Sequence, residues 1–154
     1  AGGYVLGVCN GFQILTESGL LEGALLHNDN QKFICKNVYL KAGTQNSAIT
    51  KGLDSNKAYK IPIAHGEGRY FAADEVIERL DKNGQIIFRY CSANGDVSAD
   101  VNPNGSLANI AGISNEKGNV FGMMPHPERA ADGDLSNTDG KAMFESLLNH
   151  CTQN

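Results

Sequence analysis

The sequence predicts an α/β fold, a central mostly parallel sheet flanked by helices, with a small antiparallel extension. Three observations predict it. An apolar segment, Tyr4-Val5-Leu6-Gly7-Val8, runs through a glycine turn into a helical pattern. After that first unit, strand-like segments outnumber helical ones. The chain then closes on an amphipathic pattern over 141–150. Alternation of strands and helices makes layered α/β packing the natural solution.

Residues 4–8 are apolar on both faces, which suits the middle of a parallel sheet. Gly11 to Glu17 reads as a helix with Phe12, Ile14 and Leu15 apolar, ending near Gly19. Phe33–Leu40 and Tyr59–Ala64 read as strands, and Pro62 marks the second as an edge or a strand end. Asp74 is the expected N-cap of a helix carrying Val76, Ile77 and Leu80, closed by Asn83-Gly84. A strand follows over 85–90. Asn102-Pro103-Asn104-Gly105 is a turn, because proline presets one dihedral while Asn and Gly tolerate positive φ. Ile110–Ile113 and Val120–Met124 are short strands separated by a turn at Lys117-Gly118. In the last helix, Met143, Phe144, Leu147 and Leu148 are expected to face inward.

A chain of 154 residues is enough for one domain, taken as 1–154. Hydrophobic residues make up 41% and charged residues 19%, the balance of a globular protein. With 13 Lys plus Arg against 17 Asp plus Glu, the net charge is -4. That charge gives no reason to expect nucleic acid or an anionic membrane as partner. No apolar run approaches the roughly 18 residues of a membrane helix. Four cysteines without a CxxC pair suggest reduced thiols and a cytoplasmic setting. The chain opens on Ala1 and almost at once enters a strand that needs neighbours on both sides. It is therefore expected to be a fragment whose first strands precede residue 1.

Gly7-Val8-Cys9-Asn10-Gly11 is a Gly-x-Cys-x-Gly pattern between a strand and a helix, the cysteine form of a nucleophile elbow. Glycines two before and two after leave room for the neighbouring strand and helix. The helix start favours thiolate, and the backbone N–H of Asn10 is the natural oxyanion donor. The alternative is a buried structural cysteine; Cys35, Cys91 and Cys151 are read that way. A thiol nucleophile needs a base, and the base needs an orienting group. His126, in Met124-Pro125-His126-Pro127-Glu128-Arg129, follows an apolar strand. Glu128, two residues on, would project to the same side in extended structure. His65 is the rival base but has no carboxylate so well placed. His27 and His150 are read as having no role. No phosphate-binding Gly-x-x-x-x-Gly-Lys-Ser/Thr loop and no metal-ligand cluster occurs.

Gly-Val-Cys-Asn-Gly-Phe-Gln at 7–13 followed far downstream by Pro-His-Pro-Glu at 125–128 resembles the class I (triad) glutamine amidotransferases. Residues 61–70 (Ile-Pro-Ile-Ala-His-Gly-Glu-Gly-Arg-Tyr), 102–106 and 122–129 narrow the resemblance to the family of glutaminase subunits of phosphoribosylformylglycinamidine synthase, of de novo purine synthesis. The resemblance implies a flavodoxin-like sheet and a triad of Cys9, His126 and Glu128. It implies L-glutamine as substrate, with Gly7, Gln13, His65 and Gly66 near it. It also implies a synthetase subunit as partner, no cofactor in this chain, and ATP with magnesium on that partner. The alternative for Gln13 is an ordinary helix residue, and the alternative for the charges of 65–69 is a face toward the partner subunit. Arg129 is read chiefly as a surface ion-pair residue. The rival functions are a cysteine peptidase on the same fold and an inactive, truncated docking module.

Overall fold

The computed structural model describes residues 3–152. The elements in chain order are β1 (Val5–Val8), α1 (Asn10–Glu17), β2 (Ala24–Leu26), β3 (Ile34–Ala42), β4 (Tyr59–His65), β5 (Arg69–Phe71), α2 (Asp74–Lys82), β6 (Ile86–Cys91), β7 (Ile110–Ser114), β8 (Val120–Met123) and α3 (Lys141–Thr152). Six strands form one sheet in the order β1-β8-β7-β6-β3-β4, and β2 pairs with β5 in a small second sheet.

The α/β class is borne out, with a different internal balance. β1 runs parallel to β8, and the other four pairings of the large sheet are antiparallel. Connection length explains part of this. β7 and β8 are joined only by residues 115–119, with Gly118 at φ 67 in the turn, and so short a link cannot make a crossover. Among the described residues β1 is an edge strand rather than a central one, and Val5 is 45% exposed. β4 forms the other edge, where Pro62 withholds no needed donor, as its sequence predicts.

The sheet is covered on both faces. One core gathers Phe12 and Leu15 of α1 with Leu80 of α2, Tyr70 of β5 and Val120 of β8. The other gathers Phe88, Tyr90, Phe121 and Met123 with Met143 of α3. Residues alternate between them along β8, as a strand requires, and a bulge in β6 shifts its register against β7. Two helical faces differ from expectation. Ile14 and Leu148 point to solvent, 64% and 63% exposed. In α3 the inner row is Met143, Ser146 and Leu147, the true three-and-four spacing from Met143. Ser146 is buried because its hydroxyl accepts from Gly52 N–H and donates to the Ala48 carbonyl.

Asp74 is the first residue inside α2, not its cap. Ala73 holds the cap position, and Asp74 and Glu75 instead place negative charge on the positive end of the helix. The small β2–β5 sheet carries no sequence signal strong enough to announce three-residue strands. Of the three cysteines read as structural, only Cys91 is buried; Cys35 and Cys151 are exposed. Cys35 sits in the exposed part of β3, and Cys151 lies in the last turn of α3.

α1 lies so close to β8 that a Cβ on Gly122 would collide with the Phe12 ring and Leu21. Gly122→Ala should therefore destabilise the fold by about 1–3 kcal/mol through overpacking. Gly133→Ala, whose Cβ would meet nothing, should change stability by less than about 0.5 kcal/mol. Denaturant midpoints of the two variants check this.

Candidate active site

β1 and β8 are parallel neighbours with Val8 beside Met123. Their carboxyl ends therefore lie together, and the residues that follow each strand share one end of the sheet. Cys9 follows β1, its N–H donating to the Met123 carbonyl at 2.9 Å. His126 follows β8, anchored by its N–H to the Pro62 carbonyl of β4 at 2.8 Å. Both side chains line one cavity of about 420 Å³.

The elbow is present in the backbone. Cys9 has φ 53 and ψ -107, a conformation that L-residues rarely adopt, and it stands at the cap position of α1. Gly7 is required: a Cβ there would meet the Gly11 carbonyl oxygen at 2.6 Å. Gly11 is not required in the same way, since its Cβ would find open space. Gly7 packs beneath the helix and does not line the cavity, contrary to its expected place beside a ligand. Asn10, Gln13, His65 and Gly66 do line it.

The thiol of Cys9 donates to the Ala64 carbonyl at 3.7 Å. Burial pushes its pKa up, and the Asn10 backbone N–H and the charge of Arg129 only partly offset this. The helix start thus acts in the expected direction, but desolvation wins and the resting group is a thiol. A base must take its proton before it can attack.

His126 is suited to that task. Its Nδ1 lies 2.6 Å from Oε1 of Glu128, which fixes Nδ1 as the protonated nitrogen. Its Nε2 is buried and makes no hydrogen bond, and the residue lines the cavity beside Cys9. Glu128 reaches Nδ1 by a different route from the one expected. Residues 127–130 form a tight 3₁₀ turn, not an extended strand, and that turn folds the carboxylate back onto the ring. Arg129 Nε lies 3.7 Å from the same carboxylate, a loose pairing at the surface.

His65 takes a structural part. It is 3% exposed, and its Nδ1 meets Asn28 Oδ1 at 3.0 Å, with no carboxylate in the arrangement. Asn28 holds the whole loop: its side-chain amide donates to the Lys32 and His65 carbonyls, and Oδ1 also accepts from Gly68 N–H. Asn104, inside the Asn102–Ser106 turn, donates to the Gly68 carbonyl at 2.8 Å. The turn, expected as a simple reversal, is thus a support for the cavity wall. Neither buried asparagine could be singled out from residue type alone.

A cysteine in a strained turn at a helix start, with a carboxylate-tied histidine across two parallel strands, carries the parts for thiol-based acyl transfer. The chain belongs to the CobB/CobQ-like glutamine amidotransferase domain family, whose model matches residues 1–149. It is 54% identical over 147 residues to the phosphoribosylformylglycinamidine synthase subunit PurQ of Aquifex aeolicus, covering 96% of this chain and 65% of that one. It is 57% identical over 146 residues to the subunit of the same name from Synechocystis, covering 95% and 65%. The solved structure of PurLQS from Thermotoga maritima superposes with a TM-score of 0.81 at 43% identity, over 97% of this chain and 63% of that chain. The chain thus spans just under two thirds of the length of the curated relatives it matches.

Burial pushes the His65 pKa down from 6.5 to about 4, with the nearby His126 adding to the effect. The folded state therefore refuses a proton that the unfolded state binds between those values. Stability is fully present above pH 6.5 and is lost as the pH falls toward about 4. In that window the pH slope of unfolding free energy should exceed that of His65→Gln by up to about 1.4 kcal/mol per pH unit, one proton's worth. Urea unfolding at stepped pH measures it.

Proposed function

We propose that this chain is the glutamine-hydrolysing part of a phosphoribosylformylglycinamidine synthase, releasing ammonia for a synthetase subunit. The observation that carries the reading is the shared cavity. Cys9 and His126 line it together, and Glu128 ties down the far nitrogen of the ring.

In this reading the side-chain amide of L-glutamine lies over Cys9. His126 Nε2 removes the thiol proton as sulfur attacks the amide carbon. The oxyanion that forms is met by the Asn10 backbone N–H at the start of α1. Nε2–H then protonates the departing nitrogen, ammonia leaves, and a glutamyl thioester remains on Cys9. Water gives its proton to Nε2 and attacks the thioester. Collapse returns the proton to sulfur and frees glutamate. Glu128 keeps Nδ1 protonated throughout and stabilises the imidazolium. Gln13, His65 and Gly66 form the wall against which glutamine rests.

The raised pKa of Cys9 has a place in this scheme. A thiol that stays protonated at rest is shielded from adventitious oxidation, and proton transfer to His126 accompanies attack. The glutaminase chemistry uses no cofactor in this chain. ATP and magnesium belong to the synthetase, and the setting is cytoplasmic.

With the full-length protein and its synthetase, Cys9→Ser should lower glutamine-dependent synthesis at least about 10³-fold. Synthesis supported by added ammonium salt should survive in the same variant. Glu128→Gln should lose roughly 10²–10⁴-fold through the wrong tautomer of His126. Retention of glutamine-dependent activity by Cys9→Ser would remove the nucleophile. Loss of ammonia-dependent synthesis as well would point to a docking role instead.

A further inference from the structure

Four Asn-Gly pairs occur in the chain, at 10–11, 83–84, 94–95 and 104–105. In such a pair the glycine nitrogen can attack the asparagine side chain, because no Cβ obstructs the ring that closes. We infer that Asn10 is a self-modification site: the Gly11 nitrogen attacks its carboxamide, and the aspartate or isoaspartate that results disables the neighbouring Cys9. The modification stands on local geometry, while its effect on activity rests on the glutaminase reading.

The chemistry needs only water. The Gly11 nitrogen bonds to Cγ of Asn10. The side-chain nitrogen takes up the proton that Gly11 loses and departs as ammonia, leaving a cyclic imide. Water then opens the imide at either carbonyl, to aspartate at one and isoaspartate at the other.

Three observations single out this pair. The first is a free nucleophile. Gly84 N–H donates to the Asp81 carbonyl at 3.1 Å, Gly95 N–H to the Ser92 carbonyl at 2.9 Å, and Gly105 N–H to Asn102 Oδ1 at 2.9 Å. Gly11 N–H has no acceptor among the described residues. It lies in the first turn of α1, ahead of Gln13, whose N–H makes the bond to the Cys9 carbonyl.

The second is a free carboxamide. Asn10 is exposed and lines the cavity, and its side chain makes no hydrogen bond to a described residue. Asn83 by contrast donates to Gln85 Oε1. Asn104 is fully buried, donating to the Gly68 carbonyl and accepting from Ser106 N–H. Asn94 is exposed, but its glycine is the one tied to Ser92.

The third is a weakly held helix start. Ring closure requires the peptide between residues 10 and 11 to leave helical geometry. No side chain caps α1, and no acidic residue stands in its first turn. Cys9, at the cap position, is held at φ 53 and ψ -107, so opening that turn relieves backbone strain. A Cβ on Gly11 would find open space, so the ring has room to form.

The product bears on the proposed chemistry in two ways. A carboxylate at position 10 adds negative charge beside Cys9, where the charge of Glu128 already opposes the thiolate. The isoaspartyl form inserts an extra backbone carbon directly after the N–H that meets the oxyanion. The reaction itself uses that N–H and not the side-chain amide, so Asn10 can age without any turnover.

The test ages the full-length protein at neutral and mildly alkaline pH and locates the amide-to-acid mass gain by tandem mass spectrometry. Residue 10 should convert about tenfold faster than residues 83, 94 and 104, the effect of one hydrogen bond that the other glycines must first break. Alkaline pH should speed it, and in urea-unfolded protein the four sites should convert at similar rates. Gly11→Ala should slow conversion of residue 10 at least about tenfold, because a Cβ obstructs the ring and alanine holds the helix more firmly. In complex with the synthetase, glutamine-dependent synthesis should fall in step with the converted fraction while ammonia-dependent synthesis persists. Asn10→Asp, made directly, should lower glutamine-dependent synthesis at least about tenfold. The inference is overturned if residue 10 converts no faster than the other three sites in folded protein, or if unfolded protein shows the same preference. It is equally overturned if Gly11→Ala converts at the wild-type rate, or if fully converted protein keeps its glutamine-dependent activity. Absence of glutamine hydrolysis by the fresh complex would remove the glutaminase reading and the effect on it, and the mass gain alone would then decide the modification.

Discussion

β1 and β8 hydrogen-bond in parallel, Val8 opposite Met123, and that single pairing brings the two halves of the site together. Neighbouring strands lie about 4.8 Å apart, so the residues that leave their carboxyl ends start as neighbours whatever the loops do later. Cys9 and His126 are separated by most of the chain, yet both backbones are tied to the sheet, Cys9 N–H to Met123 of β8 and His126 N–H to Pro62 of β4. A slip of one residue between the strands would turn every β8 side chain to the opposite face. Val120 and Met123 would exchange cores, and His126 would leave Cys9. Packing on both faces thereby protects the register on which the proposed chemistry relies.

A second layer of organisation works through buried amides. Asn28 and Asn104 satisfy backbone groups of the 65–68 loop that no strand could pair. Buried polar side chains are costly unless bonded, and these are bonded at several atoms. The result is a loop held with the precision of a sheet strand, although it carries glycines at 66 and 68 that would otherwise leave it free. The cavity is therefore shaped by rigid elements on three sides: α1 below Cys9, the 3₁₀ turn at 127–130, and this loop.

The site was more legible in the sequence than the sheet. Gly-Val-Cys-Asn-Gly announces its own geometry, because a glycine two residues before the cysteine is forced by the close approach of Gly7 to Gly11. Pro-His-Pro-Glu likewise signals a histidine with a carboxylate in reach, even though the turn that joins them is 3₁₀ and not extended. The strand directions were not legible. Local pattern says that a segment is a strand but not which neighbour it meets, and four antiparallel pairings emerged where mostly parallel ones were expected. Ile14 and Leu148 show the same limit on helices: an apolar residue at nearly the right spacing can still face water. Asn28 was invisible because its value lies in four partners spread over some forty positions of the chain.

The backbone of Cys9 sets two kinds of selection against each other. Its φ of 53 with ψ of -107 suits glycine far better than any side chain, and holding a cysteine there costs roughly 1–3 kcal/mol. Drift toward greater thermal robustness would therefore favour Gly at this position, at the expense of the thiol that lines the cavity. Any lineage, or any library screened by folding alone, would tend to gain robustness here while losing chemistry. The cysteine persists at this turn only where something reads out its reactivity.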